Sequence, residues 1–557
     1  MFSEIQHLGI TDGNSNDEGD DKVLCQFKET VQKVGGRCAV TLPWKNDFVL
    51  NDNLEVAESR LNGLLKKLKR NGLMAEYDVA MRKYASDGHA EKVLVESENG
   101  KQPQQVYYMP HQAVVKQESE TTKLRVVFDG PSHAPTVASL NDCLEKGPSL
   151  NTDLLPVLIR FRMYRIGLAA DIEKAFLQVE VQERDRDALR FLWCQDGPTE
   201  DISQNPVEVW RMKRVPFGTT ASPFLLAATL RHHLDNVKGH FQRTARHIVN
   251  SFYADDLLTG SSTVDGAITI YNDASSILQE AGMNLRKWIS NAEEVRKQFG
   301  EQDTNSRQER TLSCREDRKV LGILWDTYGD TLKVSGKRML EDDVALISSK
   351  RGILSAAAKL FDPLGMLSPF SIRIKMLFQR LWEVKVDWDT PLTGNIQGLW
   401  HTWWSELPKL DNIALNRYLV PDGNYNFKYE LHIFSDASPY AYGACLYLRA
   451  IANGRTAKVG FVFAKARVAP LKALTLPRLE LMGALLGVRL SKKITEALTR
   501  LKEVTCVYWT DSSITLCWVR GSPLRWLLRS RKKATYQLGD FVLGKKTQRP
   551  IDQGGVT

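Results

Sequence analysis

The stretch Ser251-Phe-Tyr-Ala-Asp-Asp-Leu-Leu-Thr-Gly260 places two adjacent carboxylates, Asp255 and Asp256, inside a strand-like apolar run. Burying a pair of aspartates is costly unless something cationic neutralises them. A tight hairpin turn can point both side chains towards one place. Upstream, Ile166-Gly-Leu-Ala-Ala-Asp171 is typical of a buried strand that ends in a third acid.

The alternative interpretation of Asp255 and Asp256 is a solvated turn, which is where adjacent acids usually occur. The apolar flanks, the upstream Asp171 and the loop Pro216-Phe-Gly-Thr-Thr-Ala-Ser-Pro223 favour chemistry over that alternative. The chemistry that uses such a cluster is nucleotidyl transfer with two divalent ions. Carboxylate oxygens suit Mg²⁺, and Mn²⁺ is a second option.

A second set of acids lies in the last quarter of the chain. The run from Tyr429 to Asp436 alternates as a strand that ends in an acid, and the run from Val504 to Asp511 does the same. Between them, Pro477 opens a predicted helix that carries Glu480 in its first turns. Each acid alone is ordinary, because strand ends and helix starts favour Asp and Glu.

These segments together resemble the reverse transcriptase and ribonuclease H regions of the Pao/BEL class of long-terminal-repeat retrotransposons. The phrases that carry the resemblance are Lys123-Leu-Arg-Val-Val-Phe-Asp129, Ser139-Leu-Asn-Asp-Cys-Leu144, Ala170-Asp-Ile-Glu-Lys174, Phe252-Tyr-Ala-Asp-Asp256 and Asn284-Leu-Arg-Lys-Trp288. The likeness runs from about residue 23 to about residue 526. It implies an α+β fold, a right-hand polymerase with fingers, palm and thumb, followed by a partial ribonuclease H-like α/β domain.

The resemblance implies two sets of catalytic, metal-binding carboxylates: Asp171, Asp255 and Asp256 in the polymerase, and Asp436, Glu480 and Asp511 in the ribonuclease H-like domain. In the family, the second set holds Mg²⁺ and cleaves the RNA strand of an RNA–DNA hybrid.

It also implies contacts to the incoming nucleotide and its triphosphate: Lys116, Arg125, Phe176, Gly218 and Ser222. The two cations match the fingers hairpin, although surface strands also carry cations for solubility. The ring of Phe176 would exclude a 2′-hydroxyl by its rigid volume, and its alternative is a plain core residue. Gly218 permits close backbone approach, and Ser222 with Pro223 is typical of a helix start.

Two segments depart from the family pattern or stay ambiguous. Phe217 stands where retroviral enzymes carry a glutamine, so the polar nucleotide contact expected there is in doubt. Leu321-Gly-Ile-Leu-Trp325 lies where the primer-grip hairpin is expected, and a plain core strand is the other interpretation.

The C-terminal domain is expected to be incomplete. The family's fold finishes with a further strand and a helix that bears a fourth carboxylate, but the expected pattern is lost after about Trp526. Asp540 and Asp552 are present without a convincing context, and Arg529 to Lys533 is a basic stretch. Its nuclease activity therefore stays open.

A chain of 557 residues is too long for one core. The predicted units are an N-terminal extension over 1–95, fingers and palm over 96–330, a mostly helical thumb or connection over 331–425, and the ribonuclease H-like domain over 426–557. Within the extension, polar residues 11–22 predict disorder, and the apolar spacing from Leu54 to Tyr84 predicts helix.

Composition narrows the class of protein. Lys and Arg number 75 against 66 Asp and Glu, a formal net charge of +9 that suits a nucleic-acid partner without establishing one. The eight cysteines form no Cys-x-x-Cys pair, which argues against a zinc knuckle and a disulfide framework. No stretch approaches the roughly 20 apolar residues of a membrane helix. We expect a soluble cytoplasmic protein, with virus-like particles as a further location.

The leading hypothesis is an RNA-directed DNA polymerase that uses Mg²⁺, an RNA template, a DNA primer, the RNA–DNA hybrid and deoxynucleoside triphosphates. Other Pol and Gag products are expected partners. The alternative is a catalytically inactive, element-derived nucleic-acid-binding protein, against which the intact Asp171, Asp255 and Asp256 weigh. An RNA-templated RNA polymerase is a third option, and Phe176 argues against it.

Overall fold

The computed structural model describes residues 17–46, 50–93, 105–115, 124–133, 137–198, 206–300, 318–340, 348–423, 426–520 and 541–543. Within these ranges no helix is both long enough and apolar enough to cross a membrane.

The N-terminal part of the chain combines helices with short strands. Its helices are α1 (Asp17–Thr30), α2 (Leu54–Arg70), α3 (Met74–Ser86) and α4 (Leu140–Cys143). Its strands are β1 (Gln32–Val34), β2 (Arg37–Val40), β3 (Ala90–Lys92), β4 (His111–Val115) and β5 (Leu124–Phe128). Strands β4 and β5 form an antiparallel hairpin, as the sequence predicted.

Two sequence-based predictions for this part need correction. Residues 17–22, predicted as disordered, begin α1, whose Val23 and Phe27 are buried in the main core. The face of α1 that packs on this core stabilises the helix. The helical run predicted from Leu54 to Tyr84 is two helices, because the backbone turns at Gly72 with φ +68°.

The palm follows. Its helices are α5 (Leu154–Phe161), α6 (Ala175–Gln178), α7 (Ser222–Asn236), α8 (Gln242–Ile248), α9 (Val264–Gln279) and α10 (Glu293–Arg296). Its strands are β6 (Ile166–Ile172), β7 (Glu180–Val181), β8 (Arg190–Cys194), β9 (Val207–Met212), β10 (Phe252–Tyr253), β11 (Asp256–Ser261) and β12 (Leu285–Ser290). Short 3₁₀ turns span Glu183–Leu189 and Gly239–Phe241.

The central palm sheet has the strand order β10-β11-β6-β12. Strand β6 is an inner strand, and almost every one of its residues is buried. Its run of Ile, Gly, Leu and Ala suits a strand covered on both faces. Two smaller sheets, β3-β9-β8 and β1-β2-β7, extend the structure towards the N-terminal helices. One core cluster joins those helices to the palm, so the N-terminal extension is part of the polymerase body.

The middle of the chain is a four-stranded sheet followed by helices. The strands are β13 (Arg318–Val320), β14 (Ile323–Asp326), β15 (Thr331–Lys333) and β16 (Ala414–Asn416). The helices are α11 (Lys337–Leu340), α12 (Lys350–Lys359), α13 (Ser368–Glu383) and α14 (Gly394–Ser405), with a 3₁₀ turn at Leu407–Asn412. Trp400 and Trp403 are buried among these helices. Strands β13 and β14 form a hairpin, and Trp325 within it is fully buried, as a core strand requires.

The last unit is a five-stranded mixed sheet covered by a long helix. Its strands are β17 (Lys428–Ala437), β18 (Ala441–Ala452), β19 (Arg455–Val468), β20 (Val504–Thr510) and β21 (Phe541–Leu543). Its helices are α15 (Leu476–Ala497) and α16 (Ser513–Arg520). The strand order is β19-β18-β17-β20-β21; β17–β20 and β20–β21 are parallel pairs.

Strand β21 corrects one prediction. The strand pattern was expected to be lost after about Trp526, yet Phe541–Leu543 pairs with β20 in register. Three residues are too short to show an alternating pattern in the sequence. The pairing with β20 stabilises the strand, and this stabilisation is not visible in the propensity of the residues themselves. Asp540, Asp552 and the basic stretch from Arg529 to Lys533 lie outside the described residues, so the fourth carboxylate and the domain bounds stay predictions.

Candidate active site

The two adjacent aspartates lie at the hairpin between β10 and β11. Tyr253 pairs with Asp256, so the turn holds only Ala254 and Asp255. Ala254 has φ +54°, a left-handed conformation that non-glycine residues rarely adopt. Such backbone strain is concentrated at functional sites, where the surrounding structure enforces it. The turn therefore presents two consecutive carboxylates at the end of the buried palm sheet.

The third carboxylate comes from the neighbouring strand. Antiparallel pairing sets Asp256 of β11 directly opposite Asp171 of β6. The amide of Ile172 donates to the carbonyl oxygen of Asp255 at 2.9 Å, which ties the turn to the end of β6. The structure therefore brings together the three acids that the sequence predicted for the polymerase.

The cluster carries strong like-charge repulsion. Burial raises the pKa of Asp256 to about 7, with the charges of Asp255 and Asp171 as further causes. Burial also raises the pKa of Asp255, and Asp171 adds to that rise. Two carboxylates that share a site cannot both ionise easily without a cation.

Sequence reasoning missed the cation that the chain itself supplies. The ammonium Nζ of Lys287 lies 3.0 Å from Oδ2 of Asp171, and Nε of Arg286 lies 3.7 Å from Oδ1. Lys287 has φ +54°, and the register of β12 against β6 shifts between Arg286 and Ile289. This bulge turns Lys287 towards the acids. The sequence did contain a sign of this cation. Arg286 and Lys287 are adjacent in the strand pattern of Asn284-Leu-Arg-Lys-Trp288, a segment that supported the family resemblance but to which no role was assigned.

The cluster has the chemistry of a divalent-cation site. Oδ1 of Asp171 is buried and has no hydrogen-bond partner in the described part of the chain. A buried carboxylate oxygen without a donor is unfavourable, and a hard cation would satisfy it. The donor set of three carboxylates therefore has the chemistry of a divalent-metal site.

The predicted sugar gate lies beside this cluster along the chain. Phe176, in the short helix α6, is half-buried, and its ring contacts the ring of Phe217 edge-on, with 4.5 Å between centroids. Phe217 is 45% exposed. The aromatic residue that replaces the glutamine of retroviral enzymes thus packs against Phe176. The contact makes Phe176 a less mobile wall, which a selection by steric clash needs.

The loop before α7 is held against the β4–β5 hairpin. Gly218 has φ +107°, and a Cβ on it would lie 2.0 Å from the carbonyl oxygen of Phe128, so only glycine fits. Ser222 begins α7 as predicted, but its side chain is buried, and its hydroxyl donates to the carbonyl of Pro216 at 2.7 Å. Ser222 therefore shapes the loop, and in this structure its hydroxyl is not open to a nucleotide.

The fingers cations are placed only in part. Arg125 is exposed on β5, opposite Val114. Its charge offsets part of the rise in the pKa of Asp255. The guanidinium of Arg125 is therefore electrostatically coupled to the carboxylate cluster. Lys116 lies outside the described residues, and its contact to the triphosphate stays a prediction.

The second carboxylate cluster assembles from three separate elements. Asp436 lies near the end of β17, Asp511 follows the parallel strand β20, and Glu480 lies in the first turns of α15. One carboxylate oxygen of each lies within 4.8 Å of the others, which is a spacing that could hold a metal ion. A Cβ on Gly483 would lie 3.2 Å from the carbonyl oxygen of Asp436, so the absence of a side chain there lets the helix approach the strand closely.

Two parts of the chain match models of known protein families. Residues 131–288 match the family model of the reverse transcriptase (RNA-dependent DNA polymerase), and residues 349–512 match that of the Pao retrotransposon-like RNaseH-like domain. The comparison with curated proteins finds no match.

Solved structures of a foamy viral protein have the same fold. The foamy viral protease-reverse transcriptase dRH in complex with dsDNA is 15% identical, with a TM-score of 0.50 over 97% of this chain and 81% of that one. The foamy viral protease-reverse transcriptase in complex with dsDNA is 14% identical, with a TM-score of 0.50 over 98% and 96%. The likeness confirms the predicted α+β polymerase fold with an RNaseH-like unit. The chain therefore combines a reverse transcriptase domain, an RNA-directed DNA polymerase, with a Pao retrotransposon-like RNaseH-like domain.

Proposed function

We propose that this chain extends a DNA primer along an RNA template through Asp171, Asp255 and Asp256, with deoxynucleoside triphosphates as substrates and Mg²⁺ as the metal. The observation that carries the proposal is the antiparallel register that sets Asp256 opposite Asp171, beside the strained turn at Ala254. That register concentrates three carboxylates at one edge of a buried sheet, as phosphoryl transfer requires.

The three carboxylates would hold the metal ions. When bound, Mg²⁺ supplies charge for the triphosphate and lowers the pKa of the primer hydroxyl. The protein's own contribution is positioning. The hairpin and β6 keep the acids together despite their repulsion, and Lys287 offsets part of the charge on Asp171. Because a carboxylate must lose its proton to bind a cation, the raised pKa of Asp256 makes binding of a metal depend on pH.

Residues around the cluster would select and orient the nucleotide. Arg125 would bind the triphosphate, since a guanidinium donates two hydrogen bonds to phosphate at once. Phe176, supported by Phe217, would reject a 2′-hydroxyl by steric clash. Gly218 would bring the loop backbone close to the base pair that is being formed.

A second activity, cleavage of the RNA strand in an RNA–DNA hybrid, is favoured by one observation. The carboxylate oxygens of Asp436, Glu480 and Asp511 converge within 4.8 Å, although the three residues come from distant parts of the sequence. Such convergence is what a cation site of hard oxygen ligands needs.

The proposed partners follow from the reaction. The RNA template, the DNA primer and their hybrid carry a phosphate backbone, so their binding is expected to weaken as salt rises. Other Pol and Gag products are proposed as assembly partners, and the cytoplasm, within virus-like particles, as the place of the reaction.

The test is extension of a DNA primer on an RNA template with Mg²⁺ and deoxynucleotides. Extension by the wild type that is lost in Asp255→Asn supports the proposal, because this variant keeps the shape of the side chain and removes its charge. A folded wild type that binds the template but does not extend the primer points to the non-catalytic alternative. Faster incorporation of ribonucleotides than of deoxyribonucleotides points to the RNA polymerase.

A further inference from the structure

Arg162 is a fully buried arginine between the palm and the RNaseH-like sheet. It directly follows α5, and none of its side chain is exposed. Its guanidinium donates to the carbonyl oxygens of Phe461 at 2.7 Å and of Val462 at 3.0 Å, both in β19. It also donates to the carbonyls of Asn416 and Arg417, each at 3.1 Å. One side chain therefore connects the palm with two later units of the chain.

Arg417 makes the reciprocal connection from the segment after β16. It is also fully buried, and it donates at 2.8 Å to three carbonyl oxygens of the palm: those of Phe161, Tyr164 and Arg165. The carboxylate of Asp330 accepts from the same guanidinium at 2.6 Å and 2.8 Å. Burial and the charge of Arg417 lower the pKa of Arg162 to about 9.

Two features of strand β19, its edge position and a bulge, make its carbonyl groups available to Arg162. Among the residues that the structure describes it is an edge strand of its sheet, so one row of its backbone groups has no neighbouring strand there. The register against β18 shifts at this point, because Leu446 pairs with Phe463 and Tyr447 with Phe461. Val462 is the extra residue of this bulge, and its carbonyl is one of the two in β19 that accept from Arg162.

These contacts meet at the base of the strands that carry the polymerase acids. Strands β6 and β11 are antiparallel, so Ile166 and Ser261 pair at the end opposite Asp171 and Asp256. One of the carbonyl groups that Arg417 binds belongs to Arg165, the residue directly before β6. Within β6, a Cβ on Gly167 would lie 2.8 Å from the ring of Phe161, which shows how closely this base is packed.

A third arginine reaches the same base from the RNaseH-like domain. Arg500, after α15, donates at 2.8 Å to the carbonyl of Met163 and at 2.8 Å to the hydroxyl of Ser262, the residue after β11. Helices α5 and α15 pack together beside it through a shared apolar core. The base of both catalytic strands is thus held by residues of the C-terminal domain.

We propose that the RNaseH-like domain has a second role that does not use its acids: it is the rigid support of the polymerase active site, fastened to β6 and β11 through Arg162, Arg417 and Arg500. The inference rests on the proposed function only in taking Asp171 and Asp256 as polymerase residues. It assigns the three arginines as positioning residues.

The experiment measures hydrogen exchange of backbone amides in the full chain by mass spectrometry. Arg500→Met is the first variant, because Arg500 is exposed and its loss is compatible with folding. Arg162→Lys is the second, since lysine keeps the charge but lacks the planar fork. We expect peptides over 166–172 and 256–261 to exchange at least about tenfold faster in both variants, because two or more hydrogen bonds are lost. Peptides from the β4–β5 hairpin should be unchanged.

Two controls separate support from other effects. Arg449→Met removes an arginine that pairs with Glu430 on the RNaseH-like sheet, and it should leave exchange in β6 and β11 unchanged. Arg500→Lys, which keeps one donor, should restore part of the protection.

The outcomes are distinguishable from those for the proposed function. In Arg500→Met we expect the kcat of DNA synthesis to fall several-fold with the KM for the nucleotide unchanged, because the acids are less well held. Unchanged exchange in β6 and β11 in folded Arg162→Lys and Arg500→Met overturns the support role. Exchange reports the support even if the wild type makes no DNA, so failure of the polymerase assay alone leaves the inference standing.

Discussion

The two carboxylate clusters of this chain are assembled in different ways. In the polymerase, Asp255 and Asp256 are neighbours in one turn, half-buried, and only Asp171 comes from elsewhere. In the RNaseH-like domain three separate elements contribute, and Asp436 and Asp511 are exposed.

The difference concerns how repulsion is offset. Water reaches Asp436 and Asp511, the two exposed acids of the second cluster, and screens their charges, whereas Glu480 is buried. In the first cluster, burial and the charges of Asp255 and Asp171 raise the pKa of Asp256, and Lys287 supplies a cation from the chain itself. Solvent screening therefore offsets part of the repulsion in the second cluster, and an ammonium group from the chain offsets part of it in the first.

The largest expected effect separates the two sites by activity. Asp255→Ala should lower DNA synthesis by roughly 10³-fold or more, because a metal-binding carboxylate acts as part of a unit. Asp511→Asn should lower hybrid cleavage by a similar factor and leave DNA synthesis intact. Primer extension and hybrid cleavage are measured on both variants. If either variant lost both activities, the two sites would not be independent.

The pH dependence of stability should distinguish the clusters next. The pKa of Asp256 in the folded chain, about 7, lies above its unfolded value of about 3.9. The folded state therefore binds this proton more tightly, and the metal-free protein should lose stability as pH rises from about 4 to about 7. The contribution is at most about 4 kcal/mol. Urea unfolding with a chelator present should show a weaker loss in Asp256→Asn, and an equal loss would contradict the assignment.

Phe176→Val should sharpen the comparison through substrate choice. A smaller side chain removes the clash with a 2′-hydroxyl, so the preference for deoxynucleotides should fall by roughly 10- to 100-fold. Single-nucleotide incorporation with each sugar measures this ratio. Hybrid cleavage by the same variant is the control and should not change. A preserved sugar preference would return Phe176 to the role of a core residue.

The smallest expected effect concerns the internal counter-charge. Lys287→Met leaves Asp171 without its nearest cation, and the metal-free protein should lose about 1–2 kcal/mol of unfolding free energy. Mg²⁺ or Mn²⁺ should restore more stability to this variant than to the wild type. The matched control is Lys297→Met, which removes a surface pair with Glu293. Equal metal responses in Lys287→Met and the wild type would remove Lys287 from the cluster's charge balance.

Local patterns in the sequence predicted much of the fold. The apolar run before Asp171, the alternation from Tyr429 to Asp436 and the helix opened by Pro477 all appear close to their predicted bounds. Residues 17–22 and strand β21 did not follow their local patterns. Both are stabilised by distant partners, since α1 packs on the main core and β21 pairs with β20.

The sequence by itself determined where each acid lies in its strand or helix, because apolar patterns and helix starts are local properties, and the family resemblance implied which acids belong together. Only the tertiary structure decided which cations stand beside them. Lys287 reaches Asp171 through a bulge with positive φ, and Arg162 and Arg417 join segments 255 residues apart. The partner of a long side chain depends on how the backbone brings distant segments together. The periodicity of the sequence contains no information about that arrangement.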